Sequence, residues 1–202
     1  MLIGLLAWCT GACSGLAELH PAEDATRVRD GAYATAESVT VRAEGNEWPG
    51  LIEVREYVTP VHVAIINAGD RPVRVDFERL RLVARDRSFS AVAPEDVRGT
   101  IWVPDPPRYY ATLPGDVTPP PRTGFEFGYD DIYDRSPTGQ LPTADLLDLG
   151  LRPGVLQPGA MRSGFVYFQR VPTSEKRVDL TVDLLTAEGA PAGTIRIPFD
   201  VR

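Results

Sequence analysis

Alternation of aliphatic and polar residues is the feature that most constrains the fold of this chain. In residues 178–184 every second residue is aliphatic, and residues 195–201 repeat the pattern. Successive side chains of a β-strand point to opposite faces, so this period predicts strands with one buried and one wet face. Residues 61–66 and 164–168 are apolar on both faces, which predicts more central strands. With 19 prolines and 18 glycines in 202 residues, the chain favours many short strands joined by turns.

Three local signals predict details of strand pairing. Residues 61–66 and 73–77 flank the turn sequence Asn67-Ala68-Gly69-Asp70, which predicts a hairpin. After the second arm the aliphatic positions change phase, and this predicts a β-bulge near residues 78–79. Pro198 cannot donate a ladder hydrogen bond, so we expect its strand at a sheet edge or at a bulge.

Together with a strand at residues 39–41, these segments supply about seven strands, the number typical of a sandwich. The sequence therefore predicts an all-β fold, an antiparallel β-sandwich formed by a single domain over residues 37–202. One core is expected, because the remaining length suits a single domain.

A turn at residues 157–159 precedes the strand at 164–168, and two alternating strands follow it to the end of the chain. This order resembles the closing half of immunoglobulin-like domains in bacterial lipoproteins, and the turn at 67–70 fits their early hairpin. The resemblance covers residues 36–93 and 154–202. It implies an immunoglobulin-like sandwich and carries no activity with it.

The N-terminal residues predict export. Residues 2–16 are uncharged and largely apolar, a run too short to span a bilayer comfortably but typical of a signal peptide. Within it, Thr10-Gly11-Ala12-Cys13 resembles the lipobox of bacterial lipoproteins, in which small residues precede a cysteine that is diacylated. The resemblance implies a signal peptide with lipobox over residues 1–13 and lipid attachment at Cys13. The alternative is plain secretion, with Cys9 and Cys13 paired or removed with the signal.

The residues after the lipobox extend this prediction. Ser14 follows the cysteine, and the same resemblance implies sorting to the outer membrane, facing the periplasm or the cell surface. Residues 14–36 are mostly polar or small and predict a flexible tether. Since both cysteines lie before this segment, the mature domain has no thiol for a disulfide, a thiolate metal site or a cysteine nucleophile.

Residues 94–153 interrupt the strand pattern. They contain 11 of the 19 prolines and one plausible short helix at residues 143–149, with Thr143 as its N-cap. They also hold 7 of the 17 aromatic residues, although disordered linkers are poor in aromatics. We therefore expect this insertion to pack as an ordered lid on the sandwich, its rings covering a sheet face or an edge.

The insertion also supplies the candidate binding residues. Residues 129–134 gather three carboxylates, which a hard cation such as calcium requires, but in an order unlike the EF-hand loop. Alternatively, the tyrosines stack on sugar rings while the carboxylates accept hydroxyl hydrogen bonds. A third interpretation is a solvated acidic loop without a ligand. The candidate ligand or cation contacts are Trp102, Tyr109, Tyr129, Asp130, Asp131, Tyr133 and Asp134.

Composition and motifs disfavour several classes of function. The formal net charge of −7 argues against nucleic acid as the main partner, and no cofactor-binding motif is present. A serine hydrolase would depend on His62, whose position in a strand is more typical of a structural histidine. The sequence thus predicts a non-catalytic, lipid-anchored envelope protein that binds another envelope protein. The alternatives are a ligand, glycan or calcium-binding module that uses the insertion, and, third, a cryptic hydrolase.

Overall fold

The computed structural model describes residues 15–102 and 138–202. These residues form antiparallel β-structure with one short helix, which confirms the predicted all-β class. The strands are β1 (Leu19–Pro21), β2 (Arg27–Val28), β3 (Gly31–Ala36), β4 (Val39–Glu44), β5 (Val58–Asn67), β6 (Val73–Val75), β7 (Leu80–Val83), β8 (Ser88–Val92), β9 (Thr100–Trp102), β10 (Thr138–Gln140), β11 (Gly154–Leu156), β12 (Met161–Gln169), β13 (Arg177–Thr186) and β14 (Pro191–Val201). The helix is α1 (Ala144–Asp148), within the predicted range.

Twelve of the fourteen described strands build two sheets that face each other, and β9 and β10 form a separate two-stranded sheet. Sheet 1 has the order β1-β14-β13-β7, with β6 and β11 continuing beside β13, and sheet 2 has the order β2-β3-β4-β5-β12. Strand β8 joins the two sheets, because residues 88–90 pair with β7 while residues 91–92 pair with β12. The sandwich is therefore closed along one side by a strand that passes from one sheet to the other.

The large core fills the space between the sheets. Alternate residues of each strand point inward, and most are fully buried, as the period-2 pattern predicts. Sheet 1 contributes Leu80, Leu82, Leu180, Val182, Ile195 and Ile197, and sheet 2 contributes Val39, Val41, Val63, Ile65, Val166 and Phe168. Burial of this aliphatic set is the main favourable term of the fold.

A small core lies on the outer face of sheet 2. Phe165 and Tyr167 point outward from β12 and are covered by the β4–β5 connection, β9 and α1. The Trp48 ring meets both rings edge-on, with centroids 5.1 Å from Phe165 and 5.6 Å from Tyr167. In the described residues 94–102 and 138–153, the insertion thus packs on a sheet face, as predicted for the lid.

The predicted tether over residues 14–36 is wrong for its larger part. Strands β1, β2 and β3 lie within it, and Leu19 is only 1% exposed. Strand β1 pairs with the end of β14, and β3 pairs with β4 throughout. Polar composition misled the prediction because edge strands need only one buried face and take their hydrogen bonds from distant strands.

The predicted hairpin across residues 67–70 is also wrong. Strand β5 pairs with β4 and β12 in sheet 2, whereas β6 pairs with β11 and β13 in sheet 1. The turn therefore crosses from one sheet to the other. Both edges of β5 are already occupied, so β6 has no free ladder beside it.

The predicted bulge at residues 78–79 is a short 3-10 turn, Phe77–Arg79, between β6 and β7. Arg74 pairs with Leu185, and Leu80 pairs with Val182. More residues therefore lie between Arg74 and Leu80 than between their two partners on β13. The change of phase thus correctly predicted an irregularity at this place. It is a break between two strands, however, and not a bulge within one strand. A register shift between Leu184 and Leu185 lies on the other edge of β13.

Pro198 lies where the β1–β14 ladder ends, as predicted for an edge position. Its carbonyl accepts a 3.1 Å hydrogen bond from the Ala22 N–H. The nitrogen of a strand residue points to the same side as its carbonyl, so the missing N–H of Pro198 faces the edge and costs β13 no hydrogen bond.

Candidate functional site

Most sequence-predicted site residues lie outside the described residues. This applies to Cys13, Tyr109, Tyr129, Asp130, Asp131, Tyr133 and Asp134, so the predicted cation or glycan site stays a prediction. Trp102 is placed at the end of β9, opposite Thr138 of β10, with 51% of its surface exposed. It is available for contact.

His62 occupies the structural setting expected for a strand histidine. Its Nδ1 lies 3.5 Å from Oε2 of Glu44 on the neighbouring strand, and its ring centroid is 5.2 Å from that of Phe165. Glu44 also accepts a hydrogen bond from Arg42 Nη2. His62 therefore packs against the ring of Phe165 and belongs to a cluster of polar side chains with Glu44 and Arg42 of the neighbouring strand.

The outer face of sheet 1 is strongly charged, and we call it the charged face. Arg81 of β7 donates a 2.5 Å hydrogen bond to Asp183 Oδ2, and Thr194 donates a 2.7 Å bond to Oδ1 of the same carboxylate. Asp179 and Arg196 lie on the same side, as the strand register requires. This pattern keeps the face solvated and opposes sheet-to-sheet association.

The outer face of sheet 2 beyond the small core has a different character, and we call it the open face. Its register aligns eight outward residues in two rows across four strands. One row is Thr35, Thr40, Ile66 and Met161, and the other is Tyr33, Arg42, Ala64 and Ser163.

Seven residues of the open face are uncharged, and Arg42 is paired with Glu44. Three are large, apolar or aromatic, and unusually exposed: Met161 at 65%, Tyr33 at 39% and Ile66 at 38%. Thr35 and Thr40 bond to each other through their hydroxyls at 2.9 Å. The result is a face with few charges to desolvate.

A cavity of about 590 Å³ opens at the end of the sandwich where three turns meet. We call this the turn end; it is formed by the β3–β4, β5–β6 and β13–β14 connections. Glu37, Asp70 and Glu188 line it with carboxylates, and Arg71 adds a guanidinium. Within the described ranges, no three histidine, cysteine or acidic residues are close enough together to hold a metal ion. The cavity therefore carries more acidic than basic side chains.

Asn67 holds the turn end together. The residue is 1% exposed, and its Nδ2 donates to the carbonyls of Arg71 at 2.8 Å and Leu156 at 3.1 Å. Its Oδ1 accepts from the Gly69 N–H at 3.1 Å. These bonds fix the crossing between the two sheets, because each buried polar atom of the side chain has a partner.

The β3–β4 turn carries backbone strain. Glu37 and Ser38 have φ angles of 48° and 61°, in the left-handed region that favours glycine or asparagine. A two-residue hairpin loop of this hand matches the twist of its strands. The strain is therefore explained by the tight hairpin geometry itself.

Sequence reasoning missed the open face. Its residues come from three successive strands, β3 to β5, and from β12, which lies far along the chain, so no local motif marks it. One signal was present, since residues 61–66 are apolar on both faces and Ile66 thus has to point outward. The alternation did not reveal which outward positions become covered by other parts of the chain.

No helix in residues 15–102 or 138–202 has the length and apolarity needed to cross a membrane. The sequence matches no protein-family model, and it is not similar to any curated protein with which it was compared. Among solved structures, a protein described as a putative lipoprotein from Bacillus subtilis is 13% identical, with a TM-score of 0.37. The match covers 93% of this chain and 37% of that protein, so this chain spans well under half its length.

Proposed function

We propose that this protein is a non-catalytic, lipid-anchored protein of the bacterial cell envelope that binds another envelope protein through the open face. The observation that carries the proposal is the difference between the two outer sheet faces. Sheet 1 exposes ion-paired side chains such as Arg81 and Asp183, whereas sheet 2 exposes Tyr33, Ile66 and Met161.

The chemistry of the open face suits a protein partner. Interface centres are depleted in charged residues and enriched in tyrosine, methionine and arginine, all present here as Tyr33, Met161 and Arg42. Covering the charged face would instead remove water from paired ions, at a cost that their mutual attraction rarely repays.

The edge beside the open face adds a second means of binding. Strand β3 forms the border of the open face; on its outer side β2 pairs with Gly31 and Ala32, and the Tyr33 N–H donates a 2.9 Å hydrogen bond to the Thr26 carbonyl. The remaining part of β3 offers backbone groups to a partner strand, and β-strand addition is a common mode of recognition. A partner that covers the open face thus also reaches this edge.

The lipid anchor is proposed at Cys13, on the lipobox resemblance of residues 10–13, with the outer membrane as the destination implied by Ser14. The immunoglobulin-like resemblance is part of the same proposal. Two packed sheets of that kind present faces and edges for binding without any catalytic group.

A ligand-binding module is the second candidate, and the turn-end cavity favours it. Its volume of about 590 Å³ lies in the range of small-molecule sites. Its carboxylates, from Glu37, Asp70 and Glu188, would select a cationic ligand. A cationic small molecule that protects the domain against thermal unfolding, without any protein partner, would favour this candidate.

Site-specific photocrosslinking in living cells tests the proposed function. Ser163 on the open face and Ser88 on the charged side are both exposed strand serines, so they form a matched pair. A photoreactive phenylalanine analogue at position 163 is expected to give one discrete protein adduct, and the same analogue at position 88 none. Ile66→Lys should abolish the adduct at position 163. Equal adducts at both positions, or none at either, would contradict the proposed binding face.

A further inference from the structure

We propose that the domain stands directly on the bilayer, with the end that carries Glu18 and Arg202 against lipid phosphates and the turn end directed away. We call the first of these the terminal end. The inference rests on the proposed lipid anchor at Cys13 and adds the orientation that this anchor imposes.

The first step is the point at which the folded domain begins. Glu18 and Arg202 exchange two backbone hydrogen bonds of 3.0 Å each, and the Ala17 carbonyl accepts a 3.0 Å bond from Arg55 Nη2. Leu19 follows at 1% exposure. The fold is therefore fixed from residues 17–18 onward, far earlier than a tether over residues 14–36 would allow.

The second step is the reach of the linker. Four residues lie between Cys13 and Glu18, so five residue-to-residue steps join them. A fully extended chain covers at most about 3.6 Å per residue, so Glu18 lies within about 18 Å of the anchored cysteine. The terminal end cannot move farther than this from the headgroups.

The third step is the direction of the strands. Strand β14 runs from Pro191 at the turn end to Val201 at the terminal end. Its 11 residues span about 33 Å at about 3.3 Å per residue. The length of the molecule along this strand therefore exceeds the reach of the linker. When the molecule stands upright, the turn end lies much farther from the bilayer than the terminal end does.

The fourth step is the charge difference between the ends, which decides between an upright and a tipped molecule. At the terminal end a hollow of about 480 Å³ is lined by His20, Arg27, Arg29 and Arg202, with Asp30 and Glu47 as its carboxylates. At the turn end the carboxylates of Glu37, Asp70 and Glu188 outnumber Arg71. Glu18, 45% exposed beside His20, adds a third carboxylate to the terminal end, so the charges there nearly cancel. Lipid phosphates therefore repel the turn end, whereas at the terminal end they meet a balanced surface that includes Arg29 and Arg202.

Arg29 and Arg202 are the residues best placed to contact phosphate. Both are exposed, and neither forms an ion pair within the part of the chain that the structure describes. Arg27, in contrast, donates to the carbonyls of Pro21 and Ala22. Because Glu18, Asp30 and Glu47 balance the three arginines of this end, the linker supplies the affinity, and the contacts of Arg29 and Arg202 with phosphate supply the orientation.

Förster resonance energy transfer from a donor dye on the protein to an acceptor-labelled lipid in the bilayer tests this orientation. The acylated protein is purified from membranes and placed in vesicles of phosphatidylethanolamine with a minor fraction of phosphatidylglycerol and an acceptor-labelled lipid. A donor dye is attached at Asn46→Cys, at the terminal end, or at Asp70→Cys, at the turn end; both positions are exposed. Since Cys9 leaves with the signal and Cys13 is acylated, each variant has one free thiol.

Transfer from position 46 is expected to be at least about twofold stronger than from position 70, because the ends are roughly 30 Å apart along the strands. A Gly-Ser insertion of about 20 residues between Ser14 and Gly15 should bring the two values together, since such linkers are flexible coils. The double variant Arg29→Glu, Arg202→Glu should lower transfer at position 46, whereas the matched control Arg71→Glu should not.

The intact mass separates the two ways in which this proposal can fail. Acylated Cys13 with equal transfer from both dyes would overturn the orientation and leave the anchor standing. Unchanged transfer after the linker insertion would overturn the argument from linker length. A mature chain without an acyl group at Cys13 would overturn the proposed anchor and the orientation together.

Discussion

The buried side chain of Tyr167 contributes to the stability of sheet 2. Its ring is fully buried in the small core, and its hydroxyl donates a 2.9 Å hydrogen bond to the carbonyl of Leu146 in α1. Burial, with a smaller contribution from nearby Asp145, raises the pKa of the Tyr167 phenol well above its usual value of 10. The native state therefore holds this proton more tightly than the unfolded chain does.

This shift predicts an alkaline loss of stability. The contribution is fully present below the unfolded tyrosine pKa of about 10 and is lost as the pH rises from there toward the folded pKa. Tyr167→Phe should lower the free energy of unfolding by about 1 kcal/mol at neutral pH, because the Leu146 carbonyl loses its partner. Urea unfolding at several pH values should then show a shallower alkaline decline than in the unmodified protein.

The control for this prediction is Tyr33→Phe, which changes an exposed tyrosine on the open face. It should retain the alkaline decline of the unmodified protein. If Tyr167→Phe and the unmodified protein declined in parallel, the buried phenol would not be the source of the pH dependence.

At the scale of elements, β1 decides whether the N-terminal segment belongs to the fold. Leu19 of this three-residue strand pairs with Val201 and forms an isolated bridge to Gly45, so it contacts both sheets. Leu19→Ala should cost about 2–5 kcal/mol, the range typical of a leucine removed from a packed core. Denaturant unfolding of the chain from Ser14 onward measures the change.

Leu147→Ala provides the matched substitution, since Leu147 of α1 is 46% exposed. Its cost should stay within about 1 kcal/mol, as for most surface changes. Two equally small losses would mean that residues 14–36 act as a tether after all.

At the scale of the whole molecule, β12 makes the two cores interdependent. Its Val166 and Phe168 face the large core, while Phe165 and Tyr167 form the floor of the small core. A strand that contributes to both cores cannot leave one without exposing the other. We therefore expect the described parts of the domain to unfold in one cooperative transition.

Trp48 provides the probe for this prediction, because its ring packs on Phe165 and Tyr167. In a chain that begins at Ser14 and carries Trp102→Phe, Trp48 is the sole tryptophan. Its fluorescence and the far-ultraviolet circular dichroism should change at the same urea concentration. An earlier fluorescence change would mean that the small core opens while the sandwich persists.

The same contrast of scales explains which features were predictable. Alternation identified the strands at residues 178–184 and 195–201, because solvent selects polar residues on one face. An apolar run on both faces identified the central position of β12. The short helix was predictable from its leucines; Thr143 stands at the predicted N-cap position, but its side chain forms no capping hydrogen bond. Alternation does not specify partners, so residues 61–66 and 73–77 looked like one hairpin although they belong to different sheets.

The sequence by itself thus determined the all-β class, about half of the fourteen described strands and the edge position of Pro198, because each depends on local geometry and on burial of one face. The tertiary structure alone decided that Leu19 closes the sandwich and that the small core covers only part of sheet 2. It also decided that Tyr33, Ile66 and Met161 share an exposed face. These features depend on pairings between residues remote in sequence, and such pairings are set by the competition of all strands for the same edges.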